Sequence, residues 1–389
     1  MALKQIDALA ALREAAGEVI ETSLCDVQGN WLALVNTEEG KRLAFVAKGE
    51  AALSALWKDV EKEADVKDVH VSVMALNANN AALVRRYVKW TAPTACGTKG
   101  ASIGFSDWLG EADAVVAELF GKRQLKPVLV DFTTEDSEAL QRYFVQAVDT
   151  ATWGVLEEGY KEGYGANAAG LKTEEEIVKA LLYGYSMIGF DCCDKIDLGI
   201  EKLSDEAVDK RFEQFNETFR AALHASYLNA EFKVGSSKIT FTENQLHRIV
   251  LEYGEAIMHI QFIYNSYLKN TPWDIDFELD LSKPGKVLTP QEHYLIGNEL
   301  QRNGIKLTAI CLDPLKDAEA VNDNLQLHCE IADTFGYRLS FKNADIAMND
   351  TAAAMKYLKG KVHLKMNNIL WLSAIELAKA LDADLFGKL

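Results

Sequence analysis

The chain has 389 residues, of which 49% are hydrophobic and 25% charged, and its formal net charge is −17 at pH 7. This composition is typical of a packed globular protein, and the length allows one large domain with a smaller one. The negative charge argues against nucleic acid and anionic membranes as partners, because both require basic patches. No apolar run is long enough to span a bilayer. Scattered cysteines without CxxC spacing, and no signal peptide, predict a cytoplasmic protein with reduced thiols.

The first 95 residues predict a small α+β subdomain. A helix over 1–17 precedes a hairpin whose strands, at 30–37 and 42–48, flank a Glu-Glu-Gly-Lys turn. A second helix is predicted over 50–66 and a short strand over 69–74. Near residue 97 the chain becomes rich in glycine, which marks the boundary of the next domain.

Residues 96–389 alternate apolar strands with amphipathic helices, which predicts a parallel α/β sheet with right-handed crossovers. Seven or eight such units in roughly 290 residues fit a TIM-like (β/α)8 barrel better than an open sheet. An open nucleotide-binding fold is disfavoured because neither a Walker motif nor a GxGxxG turn is present. A helical insertion is predicted at about 204–269. The strands are predicted at 101–105, 126–131, 186–191, 273–280, 305–311, 337–342 and 361–366.

The predicted strand at 273–280 carries an unusual acidic face. At the strand period of two, Ile275, Phe277 and Leu279 share one face. The other face carries Asp274, Asp276, Glu278 and Asp280. Such a face either meets water or lines a polar site where other groups neutralise it.

Charged residues also mark the ends of other predicted strands, where barrel enzymes place their chemistry. Asp131, Asp191 and Glu278 end three strands, whereas Lys342 and Lys365 end two later ones. If these polar faces point inward, acids meet lysines in a partly dry cavity and their pKa values shift. If they point outward, they form solvated surface pairs of little energy. Placement at successive strand ends favours a site that binds a sugar acid.

Roles follow from this arrangement. Glu278, Asp191 and Lys342 are the predicted catalytic residues, since carboxylates can move protons and lysines can bind the carboxylate of a sugar acid. His363 and Lys365 share a polar face and are predicted to contact substrate. The remaining predicted substrate contacts are Asp131, Asp107 and Lys99. Lys99 lies in a glycine-rich loop over 96–102, which either binds an anion through its N–H groups or is a plain connecting loop.

The chain resembles the tagaturonate epimerase family along nearly its whole length and in the same order. The stretches that carry the resemblance are Asn77-Ala78-Asn79-Asn80-Ala81, Thr91-Ala92-Pro93, Ser102 to Gly110, Asp149 to Gly165, Leu171-Lys172-Thr173, Asp276-Phe277-Glu278-Leu279, Thr289-Pro290 with His293, Ala332 to Ser340, and His363-Leu364-Lys365. The resemblance implies a TIM-like enzyme that interconverts tagaturonate and fructuronate with a divalent metal. Glu278 would then be a metal ligand or base, and Asp191, His363 and Lys365 would contact substrate.

The chain departs from the family pattern at the implied metal site. Where the family has a His-Ser-Gly-Ser-Asp run, this chain has Lys342-Asn343-Ala344-Asp345-Ile346. A Thr-Pro-Gly-His segment is replaced around Glu111-Ala112-Asp113, so two candidate ligand histidines are absent. The resemblance therefore does not carry the metal over to this chain, and Lys342 places a fixed cation at a position where the family has a candidate metal ligand.

Three functions remain open from the sequence. The first is a keto-uronate epimerase with a diverged metal site. The second is a catalytically inactive family member that binds a sugar acid or serves as an interaction protein. The third is a lyase or aldolase in which Lys342 or Lys365 forms a Schiff base, although nearby carboxylates raise a lysine's pKa and oppose this chemistry.

Overall fold

The computed structural model of the chain describes residues 3–49, 54–107, 110, 112–121, 125–134, 144–281, 288–312, 318–345, 357–366 and 368–381. The chain divides into two compact units. The first comprises Met1–Thr94, Ser106–Ala166 and Tyr183–Tyr185. The second comprises Ala95–Phe105, Asn167–Leu182 and Ser186–Leu389.

The first unit opens with a helix and a five-stranded antiparallel sheet of order β1-β2-β3-β5-β4. These elements are α1 (Gln5–Ala15), β1 (Glu18–Val27), β2 (Asn30–Thr37), β3 (Gly40–Lys48), β4 (Val60–Val66) and β5 (Val69–Met74). The predicted hairpin is confirmed, because β2 pairs with β3 from Trp31 opposite Val46 to Thr37 opposite Gly40. Alternation along β2 sends Ala33 and Val35 into one core and Leu32 and Leu34 into another.

Helices cover both faces of this sheet. On one face, Ala8 and Leu12 of α1 join the core that contains Val35. On the other face, α2 (Ala78–Tyr87) contributes Val84 and α4 (Phe144–Glu158) contributes Leu156. Burial of such side chains contributes about 25 cal/mol for each Å² of apolar area removed from water.

The helix predicted over 50–66 is wrong, because its described part is a short 3-10 turn at Ser54–Leu56 followed by the edge strand β4. Charged residues occupy alternate and adjacent positions from Glu61 to Asp65, a composition that suits a surface helix by local propensity. Pairing with β5 overrides this propensity, and Ala64 lies opposite Val71. The exposed charges of β4 also discourage pairing with another sheet edge.

Eight parallel strands form a closed barrel in the order β12-β13-β14-β15-β6-β7-β8-β9, which confirms the predicted (β/α)8 architecture. The strands are β6 (Ala101–Phe105), β7 (Lys126–Thr133), β8 (Gly165–Leu171), β9 (Met187–Asp191), β12 (Asp276–Asp280), β13 (Ala309–Leu312), β14 (Arg338–Phe341) and β15 (Val362–Met366). The associated helices are α3 (Asp113–Phe120), α5 (Glu174–Tyr183), α9 (Pro290–Arg302), α10 (Ala318–Phe335) and α11 (Ile369–Leu381).

The predicted insertion between β9 and β12 is mainly helical. It contains α6 (Asp205–Phe212), α7 (Glu217–Tyr227), α8 (Glu243–Ile263) and a short hairpin of β10 (Phe232–Val234) and β11 (Ser237–Ile239). A capping box between Thr242 and Gln245 fixes the start of α8. Within the described residues, no helix is both long and apolar enough to cross a bilayer.

Gly154 allows the close approach of α4 to α3. A Cβ at this position would lie 2.7 Å from the backbone nitrogen of Ala114 and 2.7 Å from the Cβ of Asp113. We expect Gly154→Ala to lower the free energy of unfolding by about 1–3 kcal/mol, because this overpacking exceeds the gain in helix propensity. Urea unfolding followed by circular dichroism measures the change.

Gly254 supplies the matched control for this prediction. It lies in α8, and a Cβ there meets no heavy atom within 4 Å. Gly254→Ala should therefore raise the free energy of unfolding by up to about 1 kcal/mol through helix propensity alone. The interpretation of Gly154 is wrong if both substitutions stabilise the protein equally.

Candidate active site

The acidic face of β12 points into the barrel. Asp276, Glu278 and Asp280 are only 2%, 1% and 6% exposed. On the opposite face, Phe277 packs against Phe190 and against Tyr264 of the insertion, with ring centroids 6.4 Å and 5.8 Å apart. The acids therefore do not form a solvated surface, and their charge must be compensated inside the protein.

Glu278 and Lys365 form a buried ion pair between β12 and β15. The Lys365 ammonium donates to Oε1 of Glu278, and the two side chains are 3% and 1% exposed, with the lysine given first. The other oxygen of Glu278, Oε2, is buried and has no hydrogen-bond partner among the described residues. Removing one member of such a pair leaves an uncompensated buried charge, which is strongly destabilising.

Lys342 and Asp280 form a second ion pair at the carboxyl ends of the strands. Lys342 donates to Oδ2 of Asp280, and its side chain is 26% exposed. Burial lowers the pKa of Lys342, but the charge and the hydrogen bond of the Asp280 carboxylate raise it, and the net pKa lies above its ordinary value. Lys342 is therefore an ammonium at neutral pH. Burial and the Glu278 carboxylate raise the pKa of Cys311, which stays a thiol.

Asp191 ends β9 directly beside Asp280 of β12, because the two residues are paired in register. Its Oδ1 accepts a hydrogen bond from the backbone N–H of Cys193 at 2.9 Å. Its Oδ2 lies 3.6 Å from the ammonium of Lys172, which follows β8. The structure therefore brings the predicted acid Asp191 to the same end of the barrel as the Lys342 pair.

His363 lies inside the barrel on β15, in register with Ser340 on one side and Ser102 on the other. Its Nδ1 is 2.9 Å from the hydroxyl of Ser102, and the imidazole is fully buried. Arg338 is also buried, at 1% exposure, and its Nη1 donates to the carbonyl of Val362 at 3.5 Å. The interior of the barrel thus holds basic as well as acidic groups.

The glycine-rich loop binds an anion, but the anion is a side chain of the protein. The N–H groups of Cys96 and Gly97 donate to the two carboxylate oxygens of Asp276, at 2.5 Å and 2.9 Å. Lys99 is exposed and precedes β6, so it lies at the amino end of that strand. The structure does not bring Lys99 to the carboxyl-end residues.

Asp107 and Asp131 belong to the first compact unit. Asp107 accepts hydrogen bonds from the N–H groups of Gly110 and Ala112, at 2.9 Å and 2.7 Å, which holds the turn after β6. Asp131 is 1% exposed within β7, and its carbonyl accepts a hydrogen bond from the Ser106 hydroxyl at 2.6 Å. These contacts give Asp107 a structural role in its turn.

The predicted site lacks three residues that the structure places in contact with its members. Asp280, Lys172 and Ser102 contact Lys342, Asp191 and His363, respectively. The signal for Asp280 was available, since it lies two residues beyond Glu278 on the same strand face. Strand periodicity does not mark Lys172, which follows a strand of weak sequence signature, and only the family resemblance at Leu171-Lys172-Thr173 includes it.

The described barrel residues do not present a ready metal site. One oxygen of Glu278 and one oxygen of Asp280 each contact a lysine ammonium, so both carboxylates are partly neutralised by cations of the protein. Among described residues, ligand atoms of three His, Cys, Asp or Glu side chains converge within 4.8 Å at one place, in the insertion rather than on a barrel strand. The donor set of the described barrel therefore does not fit the divalent metal that the family resemblance implies.

Comparison with known proteins agrees with this architecture. A family model described as tagaturonate epimerase matches residues 20–389. The chain belongs to the tagaturonate epimerase family.

Individual relatives agree with this assignment. A tagaturonate/fructuronate epimerase of Thermotoga maritima is 28% identical over 383 residues, covering 96% of this chain and 78% of that protein. The native crystal structure of a fructuronate-tagaturonate epimerase from Cohnella laeviribosi superposes with a TM-score of 0.87 at 27% identity, covering 98% of this chain and 79% of that one. A glycerol complex of the Cohnella protein gives the same TM-score. Membership of the tagaturonate epimerase family supports a function on sugar acids.

Proposed function

We propose that this chain epimerises a keto-uronate of the tagaturonate or fructuronate type, using ammonium groups where the family is expected to use a metal. The observation that carries the proposal is the pair of lysine–carboxylate contacts inside the barrel, Lys365 with Glu278 and Lys342 with Asp280. Both lysines follow or end strands at the carboxyl edge, where barrel enzymes bind substrate.

The chemistry requires a cation beside a developing anion. Epimerisation by retro-aldol cleavage and recombination passes through an enolate, and epimerisation by proton removal and return passes through a carbanion. Fixed ammonium groups in a water-poor site stabilise such an anion without reorganising during the reaction. Lys342 suits this role because its raised pKa keeps it charged and its side chain is partly exposed.

Carboxylates supply the proton-transfer groups. Asp191 is 17% exposed and keeps one oxygen 3.6 Å from Lys172, so it can reach a bound ligand. Glu278 is more deeply buried, and its Oε2 lacks a hydrogen bond among the described residues. We assign proton transfer to Asp191 or Glu278, because a base must lie within hydrogen-bond reach of the proton that it removes. His363 and Lys365 would contact substrate polar groups.

The test is incubation of the chelator-treated protein with tagaturonate and with fructuronate in D₂O, with and without added Mn²⁺ or Zn²⁺. Conversion without added metal, read by NMR, is the expected result. Conversion that depends strictly on added metal contradicts the substitution of ammonium for metal. Absence of both conversion and exchange under all conditions contradicts the epimerase function.

A second candidate is an inactive relative that binds a sugar acid. The neutralisation of Glu278 and Asp280 by lysines favours it, because a paired carboxylate is a weaker base. Thermal-shift measurements with uronates separate the candidates, since a ligand that binds only the folded state raises the melting temperature. Stabilisation without turnover supports binding alone.

Schiff-base chemistry is disfavoured by the same geometry. The raised pKa of Lys342 leaves almost no neutral amine to attack a carbonyl at neutral pH. We also propose a cytoplasmic location with a small-molecule sugar acid as the partner, which is consistent with all six cysteines being unbridged.

A further inference from the structure

The helical insertion carries a cluster of metal-ligand side chains that the proposed function does not use. It consists of His224 on α7 and Glu243 with His247 on α8. One ligand atom from each lies within 4.8 Å of the others. Glu243 and His247 are four residues apart on one helix, so they project from the same face.

The two imidazoles already point the same nitrogen at a shared position. Nε2 of His224 lies 2.9 Å from Nε2 of His247. Two nitrogen ligands bound to one tetrahedral zinc ion at about 2.0–2.1 Å lie roughly 3.3 Å apart. The two Nε2 atoms therefore reach the spacing of zinc ligands if they move apart by a few tenths of an ångström.

A second carboxylate orients His247. Nδ1 of His247 lies 2.7 Å from Oδ1 of Asp209 on α6. This contact places the imidazole proton on Nδ1 and leaves the Nε2 lone pair toward His224. Histidine ligands of zinc commonly have such a carboxylate partner, which fixes the tautomer and the ring orientation.

Packing further restricts both rings. Phe212 stacks on His247 with ring centroids 3.8 Å apart and an interplanar angle of 15°. The same phenyl ring stacks on His224 at 5.6 Å and 7°. His247 is buried, whereas Glu243 is exposed, so a bound ion would keep one coordination position open to water.

We infer that His224, His247 and Glu243 form a Zn²⁺ site that joins α7 to α8. Without metal, Nε2–H of His224 can donate to Nε2 of His247, which satisfies both rings. On binding, the His224 proton moves to Nδ1, both Nε2 lone pairs face the ion, and the Glu243 carboxylate completes three protein ligands. The neutral tautomers require no net proton release.

The experiment is calorimetric titration of the full-length, chelator-stripped protein with ZnCl₂, beside His224→Ala, Glu243→Gln and His70→Ala. His70 is the matched control, because it is a half-buried histidine outside the insertion whose Nδ1 lies 2.8 Å from Oδ1 of Asp65. We expect the parent and His70→Ala to bind one more equivalent of Zn²⁺ than His224→Ala, and Glu243→Gln to bind at least tenfold more weakly.

A second readout guards against loss of folding in a variant. Zn²⁺ at 100-fold excess over its Kd should raise the melting temperature of the parent by about 3 °C, since it binds only the folded state. The shift should disappear in His224→Ala and remain in His70→Ala. Equal stoichiometry and equal melting shifts in all these proteins would overturn the site. Because stoichiometry is compared between variants, a metal bound in the barrel leaves the difference unchanged.

Discussion

Lys365→Met is expected to reduce epimerase turnover at least roughly 100-fold and to lower the free energy of unfolding by about 3–5 kcal/mol. The ammonium of Lys365 is the partner of Glu278, and both side chains are almost fully buried. Methionine fills similar space without charge, so the loss of stability reports the uncompensated Glu278 carboxylate. Denaturant unfolding and NMR turnover assays measure the two effects.

Two further variants separate charge from packing. Glu278→Gln combined with Lys365→Met removes both charges, so most of the lost stability should return while turnover stays low. Lys361→Met is the matched surface control, because Lys361 precedes the same strand and is 46% exposed in its pair with Asp333. It should change stability by less than about 1 kcal/mol. A double variant as unstable as Lys365→Met would contradict the ion-pair account.

Acidification should destabilise the protein between pH 6.5 and 4 through a buried histidine pair. His293 on α9 and His328 on α10 place their Nδ1 atoms 2.8 Å apart, and the hydroxyl of Tyr337 lies 2.8 Å from Nε2 of His293. They are 0% and 1% exposed. Burial lowers the pKa of His328 from 6.5 to about 4 and holds the pKa of His293 well below its ordinary value.

The direction of the pH dependence follows from proton counting. Between pH 6.5 and 4 the unfolded chain protonates these imidazoles and the folded protein does not, so the free energy of unfolding falls as the pH falls. The full contribution is present above pH 6.5, and His328 alone removes about 3 kcal/mol by pH 4.

Urea unfolding at successive pH values tests this account. His328→Gln should flatten the slope between pH 6.5 and 4, because glutamine does not titrate. His70→Gln should leave the destabilisation on acidification in place, because Asp65 raises the pKa of His70 instead of lowering it. Parallel stability curves for the parent and His328→Gln would show that other groups, such as the paired carboxylates, dominate the acid response.

Much of the barrel could be predicted from periodicity, but β8 could not. Its sequence, Gly-Ala-Asn-Ala-Ala-Gly-Leu, lacks the β-branched and aromatic residues that mark strands. The neighbouring β9 approaches β8 closely at Gly189. A Cβ on Gly189 would lie 3.0 Å from Cα of Ala169, so this contact favours small residues at this point. The preference for small residues comes from tertiary contact, so it produces no alternating hydrophobic pattern in the sequence.

The sequence predicts which residues of the candidate site share a strand face, but it does not predict which group each of them contacts. Alternation along β12 correctly grouped Asp276 with Glu278, because the strand period is a local property. Their partners could not be derived in the same way. Asp276 binds backbone N–H groups of a loop, whereas Glu278 binds Lys365, and this difference depends on barrel register.

The hydrogen bonds that Cys96 and Gly97 donate to Asp276 join residues that are 180 and 179 positions apart in the sequence. They link the chain just before the first barrel strand to a strand from the later half of the barrel. Closing a loop of this length costs conformational entropy, so we expect the contact to form late in folding, after much of the intervening chain is ordered. Interactions that form after the rate-limiting step mainly govern the rate of unfolding. The glycine-rich loop therefore contributes to the kinetic lifetime of the folded barrel more than to the speed at which it forms.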